Sequence, residues 1–79
     1  MLIHDRAVYE IAREIRADWS NVNYAALPYL EAMESIDDID GDYFADSAKS
    51  VVLYFLSNAG SWRGPVARRI KAELKGMCK

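Results

Sequence analysis

The chain lacks the residues from which small proteins build covalent or metal cross-links. Among its 79 residues there is one cysteine, Cys78, and one histidine, His4. A single cysteine cannot close an intrachain disulfide, and these two residues alone make no zinc-binding cluster. Domains of this size without such cross-links depend on close helix packing or on self-association. We therefore expect no metal and no cofactor, and we consider a homodimer.

The sequence also lacks a hydrophobic run long enough to cross a membrane. Its longest strongly apolar run covers residues 51–56, whereas a spanning helix needs about 20 residues. At the N-terminus, residues 1–3 are followed at once by His4, Asp5 and Arg6, which leaves no apolar core for a secretion signal. These observations predict a cytoplasmic protein without a membrane partner.

Candidate catalytic residues are scarce. His4 and Cys78 lie near opposite ends of the chain, and neither has an obvious partner for nucleophilic or acid–base chemistry. Many of the carboxylates cluster in residues 35–46, and nothing in the sequence indicates a pocket that would raise their pKa. We predict no catalytic residue and no enzymatic activity.

Glycine and proline are sparse, with four and two residues respectively, and apolar residues recur at helical spacing. The first predicted helix covers about residues 5–18, with Asp5 as its cap. Its buried stripe consists of Val8, Ile11, Ala12 and Ile15, completed by Trp19. The second predicted helix covers about residues 24–36, and its regular part begins near Pro28.

The third predicted helix begins at residue 45 or 47, capped by Asp46 or Ser47, and ends at residue 59, before Gly60. It is apolar nearly all round, which is typical of a central helix. The fourth begins at residue 61 or 65 and ends at residue 75, before Gly76. The pattern predicts an all-α fold, a single domain over residues 1–79 with about four helices in a small bundle or orthogonal array.

Charge is divided unevenly along the chain. Residues 1–46 carry eleven acidic and three basic side chains, whereas residues 47–79 carry one acidic and seven basic side chains. The two parts either attract each other, within the fold or across a dimer, or they form surfaces for partners. The acidic segment 35–46 does not fit a calcium loop, because Ile36 and Ser47 would occupy positions that need carboxylates. It is either a solvated turn that caps the next helix or a negative patch for a basic partner.

Aromatic residues are numerous for so small a core, with nine in the chain. Tyr24, Tyr29 and Trp62 lie at predicted helix starts or in loops, where exposure is easiest. Because exposed aromatic side chains are enriched at protein interfaces, these three and Tyr43 are our candidate interface residues. The alternative is a set of partly buried rings on a monomer.

A second candidate surface is basic. The predicted fourth helix and the residues before it present cations at helical spacing beside Trp62, namely Arg63, Arg68, Arg69, Lys71 and Lys75. Such a pattern is typical of nucleic-acid binding. The chain as a whole is acidic, with a pI near 5.2. The same basic face could instead pair with the acidic half of the protein. Nucleic acid is therefore the alternative partner.

Three stretches carry a resemblance to a group of phage proteins. They are residues 61–75, residues 23–33, and Asp46-Ser47 followed by residues 51–56. In these stretches the chain resembles small accessory proteins encoded by phages of actinobacteria, including mycobacteriophages. The resemblance implies a phage product that acts inside a bacterial host, and it assigns no catalytic residue. We predict a noncatalytic module that binds a host or phage protein, and a subunit of a larger phage assembly is a third hypothesis.

Overall fold

A computed structural model describes residues 6–43 and 46–78, without the side chain of Tyr43. Four helices account for most of this part of the chain: α1 (Val8–Asp18), α2 (Leu27–Met33), α3 (Ala48–Ser57) and α4 (Pro65–Met77). Two short strands, β1 (Asp42–Tyr43) and β2 (Asp46–Ser47), lie between α2 and α3. The predicted all-α fold with four helices is confirmed. None of the described helices is both long and apolar enough to cross a membrane.

Helix α1 begins at Val8, three residues later than the sequence predicts. The predicted cap, Asp5, lies outside the described residues. The backbone N–H of Ala7 instead donates to the side chain of Glu10 at 3.2 Å. The N–H groups of Val8 and Tyr9 donate to carbonyl oxygens of the segment that follows α2, at 3.0 and 2.8 Å. Long-range backbone contacts therefore fix the start of this helix, since its first N–H groups have no partner within it.

Helix α2 confirms the predicted role of Pro28 and ends earlier than expected. Pro28 stands in the first turn, where its missing N–H costs nothing. The regular helix ends at Met33, and tighter turns follow, in which Ser35 and Ile36 donate to Ala32 and Met33. These turns bring the chain back to the start of α1.

The segment before α3 forms a small antiparallel pairing that the sequence did not predict. Asp42 pairs with Ser47, and Tyr43 pairs with Asp46. Ser47 then caps α3, because its Oγ accepts a hydrogen bond from the backbone N–H of Ser50 at 3.1 Å. The predicted Ser47 cap is confirmed, and α3 begins one residue later.

Helix α3 is not surrounded by protein, which corrects the prediction of a central helix. One face is buried, through Ala48, Val51, Val52 and Phe55. The opposite face is open, because Leu53 is 49% exposed and Tyr54 is 53% exposed. The helix packs on α2 and α4, and about half of the surface of Leu53 and of Tyr54 stays accessible.

Helix α4 begins after a glycine that the backbone requires. Gly64 has a φ of +114°, a region that side chains rarely adopt, and it lets the chain turn sharply before Pro65. The predicted end at residue 75 is wrong. Gly76 continues the helix to Met77, whose side chain is buried with Ala67, Ile70 and Leu74.

All four helices contribute to one hydrophobic core. Its largest fully buried side chains include Phe55, Ile11, Ile15, Leu30, Met33, Ile70 and Leu74. The stripe predicted for α1 is confirmed, and Trp19 is buried with it. No buried side-chain polar atom of the described residues lacks a hydrogen-bond partner.

Candidate functional site

The outer side of α2 and α3 carries an open hollow between two tyrosines. The rings of Tyr29 and Tyr54 stack with centroids 5.5 Å apart and an interplanar angle of 30°. They border a hollow of about 560 Å³ lined by Pro28, Tyr29, Ala32, Asp46, Val51 and Tyr54, which we call the tyrosine groove. Its volume lies within the range of sites that bind small molecules or single side chains.

Apolar surface continues beside the groove. Leu53, next to Tyr54 on α3, is half exposed. Tyr29 is partly buried against the core, so its position is held from below while one side of the ring remains available. Sequence reasoning selected Tyr29 and missed Leu53 and Tyr54. The signal was present, because α3 has more apolar residues than one buried face needs.

The rim of the tyrosine groove is acidic. Asp46 lines the hollow itself. Asp46 is exposed, and its carboxylate makes no ion pair with a described side chain. The groove therefore combines aromatic walls with one uncompensated negative charge.

The other tyrosine candidates are not part of this groove. Tyr24 is 90% exposed, as expected for an interface candidate, but it does not line the hollow. The side chain of Tyr43 lies outside the described residues, so its predicted role stays a prediction.

Trp62 is not exposed, which corrects the expectation from its place in a loop. Only 2% of its surface is accessible. Its ring stacks on Trp19 with centroids 5.7 Å apart, and its Nε1–H donates to the Asp18 carboxylate at 2.9 Å. Phe55 contacts both indoles edge-on. Because its ring is buried and hydrogen-bonded within the fold, Trp62 is a core residue.

The cations predicted for nucleic-acid binding do not form one uniform face. Arg69 pairs with Glu14 of α1, and Glu14 also accepts from Arg6 at 2.9 Å. Arg6 makes a bidentate pair with Glu73 of α4, at 2.7 and 2.9 Å. These contacts link α1 to α4, so Arg69 is part of the fold's own electrostatics. They also lower the pKa of Glu14, chiefly through the hydrogen bond from Arg69.

The remaining cations of this set have different surroundings. Arg63, Arg68 and Lys75 are exposed and have no ion pair among the described side chains. Lys71 is partly buried, and its Nζ donates to the carbonyl oxygen of Trp62 at 2.6 Å. Arg63, Arg68 and Lys71 line a second hollow, of about 280 Å³, at the start of α4.

The acidic and basic parts of the chain neutralise each other only partly within the fold. Across the described residues, Lys49 pairs with Asp40 and Arg69 pairs with Glu14. The only other ion pair between the described residues of the two parts joins Arg6 to Glu73, with the cation in the acidic part. Most of the described acidic and basic side chains of the two parts therefore form no ion pair with each other.

The described residues present little that resembles a reactive centre. No group of three or more histidine, cysteine or carboxylate side chains among them is arranged to hold a metal ion. Cys78 is partly buried near the carbonyl of Lys49, and burial raises the pKa of its thiol. A thiol of this kind is less nucleophilic at neutral pH than a free cysteine. Comparison with protein-family models, curated proteins and solved structures gave no match.

Proposed function

We propose that the protein is a noncatalytic binding module whose tyrosine groove holds a basic segment of another protein. The observation that supports this proposal is the stacked Tyr29–Tyr54 pair, which borders an open hollow on the surface. Contiguous exposed apolar surface, rimmed by polar residues, is typical of interaction sites.

The chemistry of the groove specifies the occupant. An aromatic or aliphatic side chain that enters the hollow is desolvated against Tyr29, Tyr54 and Val51. A lysine or arginine side chain next to this anchor then approaches Asp46. An arginine can also stack on the exposed ring of Tyr54. A basic segment with one large apolar residue is therefore the partner of best fit.

The resemblance to phage accessory proteins supports the finer part of the proposal. It favours a host or phage protein as the partner and the cytoplasm of a bacterial host as the place of binding. Nucleic-acid binding through the whole of α4 has less support, because Arg69 pairs with Glu14 and Lys71 is bound to the Trp62 carbonyl.

Peptide selection followed by affinity measurement tests the groove directly. A random-peptide display library is selected on the intact protein, and the consensus peptide is labelled for fluorescence anisotropy. We expect a consensus that contains lysine or arginine together with an aromatic or aliphatic residue. Tyr54→Ala should weaken its binding by about 30-fold, equivalent to about 2 kcal/mol, since central aromatic side chains dominate such interfaces.

Tyr24→Ala is the matched control, because it removes an exposed tyrosine that does not line the groove. It should change the affinity by less than about twofold, within the range of neutral surface substitutions. Equal binding to Tyr54→Ala and wild type, or a consensus rich in acidic residues, would contradict the proposal.

Self-association is a separate outcome of the same variants. Sedimentation equilibrium of the wild type and of Tyr54→Ala shows whether the groove is covered by a second copy of this chain. A wild-type dimer that Tyr54→Ala dissociates would assign the groove to the predicted homodimer and would exclude a foreign segment as its main occupant.

A further inference from the structure

The second hollow lies in the basic part of the chain, at the junction between residues 60–64 and α4. It has a volume of about 280 Å³ and is lined by Trp62, Arg63, Gly64, Ala67, Arg68 and Lys71. Ala67, Arg68 and Lys71 share one face of α4, because Lys71 follows them by four and three positions, and Gly64 is the cap residue of the helix. Trp62 is anchored in the core below them. We call this hollow the basic pocket.

The walls of the basic pocket carry positive charge and no carboxylate. Arg63, Arg68 and Lys71 all line it. Burial lowers the pKa of Lys71, and the positive charges of Lys75 and Arg63 lower it further. Neither arginine has an ion pair among the described side chains. Three like charges thus line one cavity, and the Asp18 carboxylate, which accepts the hydrogen bond from the Trp62 Nε1–H, is not among its lining residues.

The position of Lys71 is fixed by the fold. Its Nζ donates to the Trp62 carbonyl at 2.6 Å and lies 5.9 Å from the centroid of the Trp62 ring. An ammonium group has three donors, so two remain for a ligand. Because Trp62 is nearly immobile in the core, the cation is held beside the cavity with little further loss of side-chain entropy on binding.

The basic pocket lies at the N-terminal end of α4. The cap residue of this helix is Gly64, which lines the pocket and has no side chain to cap the helix. The positive end of the helix dipole therefore adds to the field of the three side chains.

We propose that the basic pocket binds a phosphate group. A phosphate offers several acceptor oxygens and about two negative charges, which suits two planar arginine forks and one ammonium group at the N-terminal end of a helix. A volume of about 280 Å³ accommodates the phosphate and a small attached moiety. The proposal goes beyond the tyrosine groove, because it concerns different residues and a ligand of opposite charge.

Titration of the intact, nitrogen-15-labelled protein with inorganic phosphate, at ionic strength held constant with chloride, tests the site. Saturable shifts are expected at the amides of Ala67, Arg68 and their neighbours. Arg68→Ala should weaken binding at least about tenfold, the loss of about 1.4 kcal/mol expected for a charge-assisted hydrogen bond. Arg68 is exposed within a helix, so alanine should preserve the fold.

Lys75→Ala is the matched control, because Lys75 is an exposed cation of the same helix that does not line the pocket. It should change phosphate affinity by less than about threefold, through its long-range field alone. Shifts that do not saturate, or equal losses in the two variants, would overturn the proposal for free phosphate.

A second arm identifies the source of the phosphate. Labelled duplex DNA is titrated with the wild type and both variants, at about 50 and 200 mM salt. A loss specific to Arg68→Ala would show that the pocket takes a phosphate of nucleic acid, whereas phosphate binding without DNA binding would indicate a small phosphorylated ligand. The proposal is overturned if neither ligand shows a loss specific to Arg68→Ala.

Discussion

Two aromatic pairs occupy opposite situations in this protein. Trp19 and Trp62 stack inside the core, where only 7% and 2% of their surfaces are accessible. Tyr29 and Tyr54 stack at a similar separation, but Tyr54 is 53% exposed. The tryptophan pair is shielded from solvent within the core, whereas the tyrosine pair is open to solvent and borders a hollow lined by Asp46.

The difference shows that ring count alone does not identify an interface. Nine aromatic residues are too many for full burial. Whether a tryptophan or tyrosine is buried depends on whether its polar atom finds a hydrogen-bond partner inside the protein. The indole N–H of Trp62 finds a carboxylate on α1, which permits complete burial. The tyrosine pair has one face on the core and the other towards solvent, which makes it available to a partner.

The largest effect that would test this contrast is the loss of the Trp62 ring. Trp62→Ala should lower the free energy of unfolding by about 3–5 kcal/mol, because it leaves a cavity beside Trp19 and Phe55. Urea unfolding followed by circular dichroism measures the change. Tyr24→Ala is the control and should stay within about 0.5 kcal/mol of wild type. If Trp62→Ala and Tyr24→Ala unfolded at the same urea concentration, the closed character of the tryptophan side would be disproved.

The next effect concerns the acceptor of the indole hydrogen bond. Asp18→Ala leaves the buried Nε1–H of Trp62 without a partner and should cost about 1–2 kcal/mol in the same experiment. Asp18→Asn keeps an acceptor and removes a negative charge from the C-terminal end of α1, so it should be close to neutral. Similar losses in both variants would mean that the charge of Asp18, and not its hydrogen bond, stabilises the fold.

Periodicity predicted the helices well, because burial of one helical face is a local property of the sequence. The faces through Val8, Ile11 and Ile15 on α1, and through Val51, Val52 and Phe55 on α3, are buried as expected. The short pairing of residues 42–43 with 46–47 was missed, because two residues on each side are too few to show an alternating pattern.

The candidate site was predicted only in part, because exposure depends on contacts distant in the sequence. Trp62 was expected to be exposed from its loop position, whereas its hydrogen-bond partner lies 44 positions away. Tyr29 was selected correctly, but its stacking partner, Tyr54, was assigned to a buried helix. The sequence shows that there are more apolar residues than one buried face needs. Tertiary packing decides which of these residues stay exposed.

A smaller effect is expected on the open side. Tyr54→Ala should lower the free energy of unfolding by only about 1 kcal/mol, because half of the ring is already in solvent and the stack with Tyr29 is a single exposed pair. A double-mutant cycle with Tyr29→Ala measures their coupling, expected at about 0.5–1 kcal/mol. A loss as large as that of Trp62→Ala would show that the tyrosine pair is a structural element and would weaken its assignment as a binding surface.

The smallest expected effect concerns the ion pairs that link α1 to α4. Arg69 and Arg6 hold the pKa of Glu14 below its ordinary value of 4.5, so the folded state binds this proton less readily than the unfolded state. The stabilisation is therefore complete above about pH 4.5 and is lost as the pH falls through the lower folded-state pKa. Because the Glu14 side chain is 32% exposed, solvent screening limits it to about 0.5 kcal/mol.

Glu14→Gln should remove this contribution at neutral pH and leave less stability to be lost on acidification. Urea midpoints of wild type and variant, compared at about pH 7 and pH 3, on either side of the ordinary glutamate pKa, should converge at the acidic end. Asp46→Asn is the control, because Asp46 is exposed at the open groove and makes no ion pair with a described side chain. An equal pH response in the two variants would mean that the carboxylates of Glu14 and Asp46 are electrostatically alike, contrary to the ion pairs that only Glu14 makes among the described side chains.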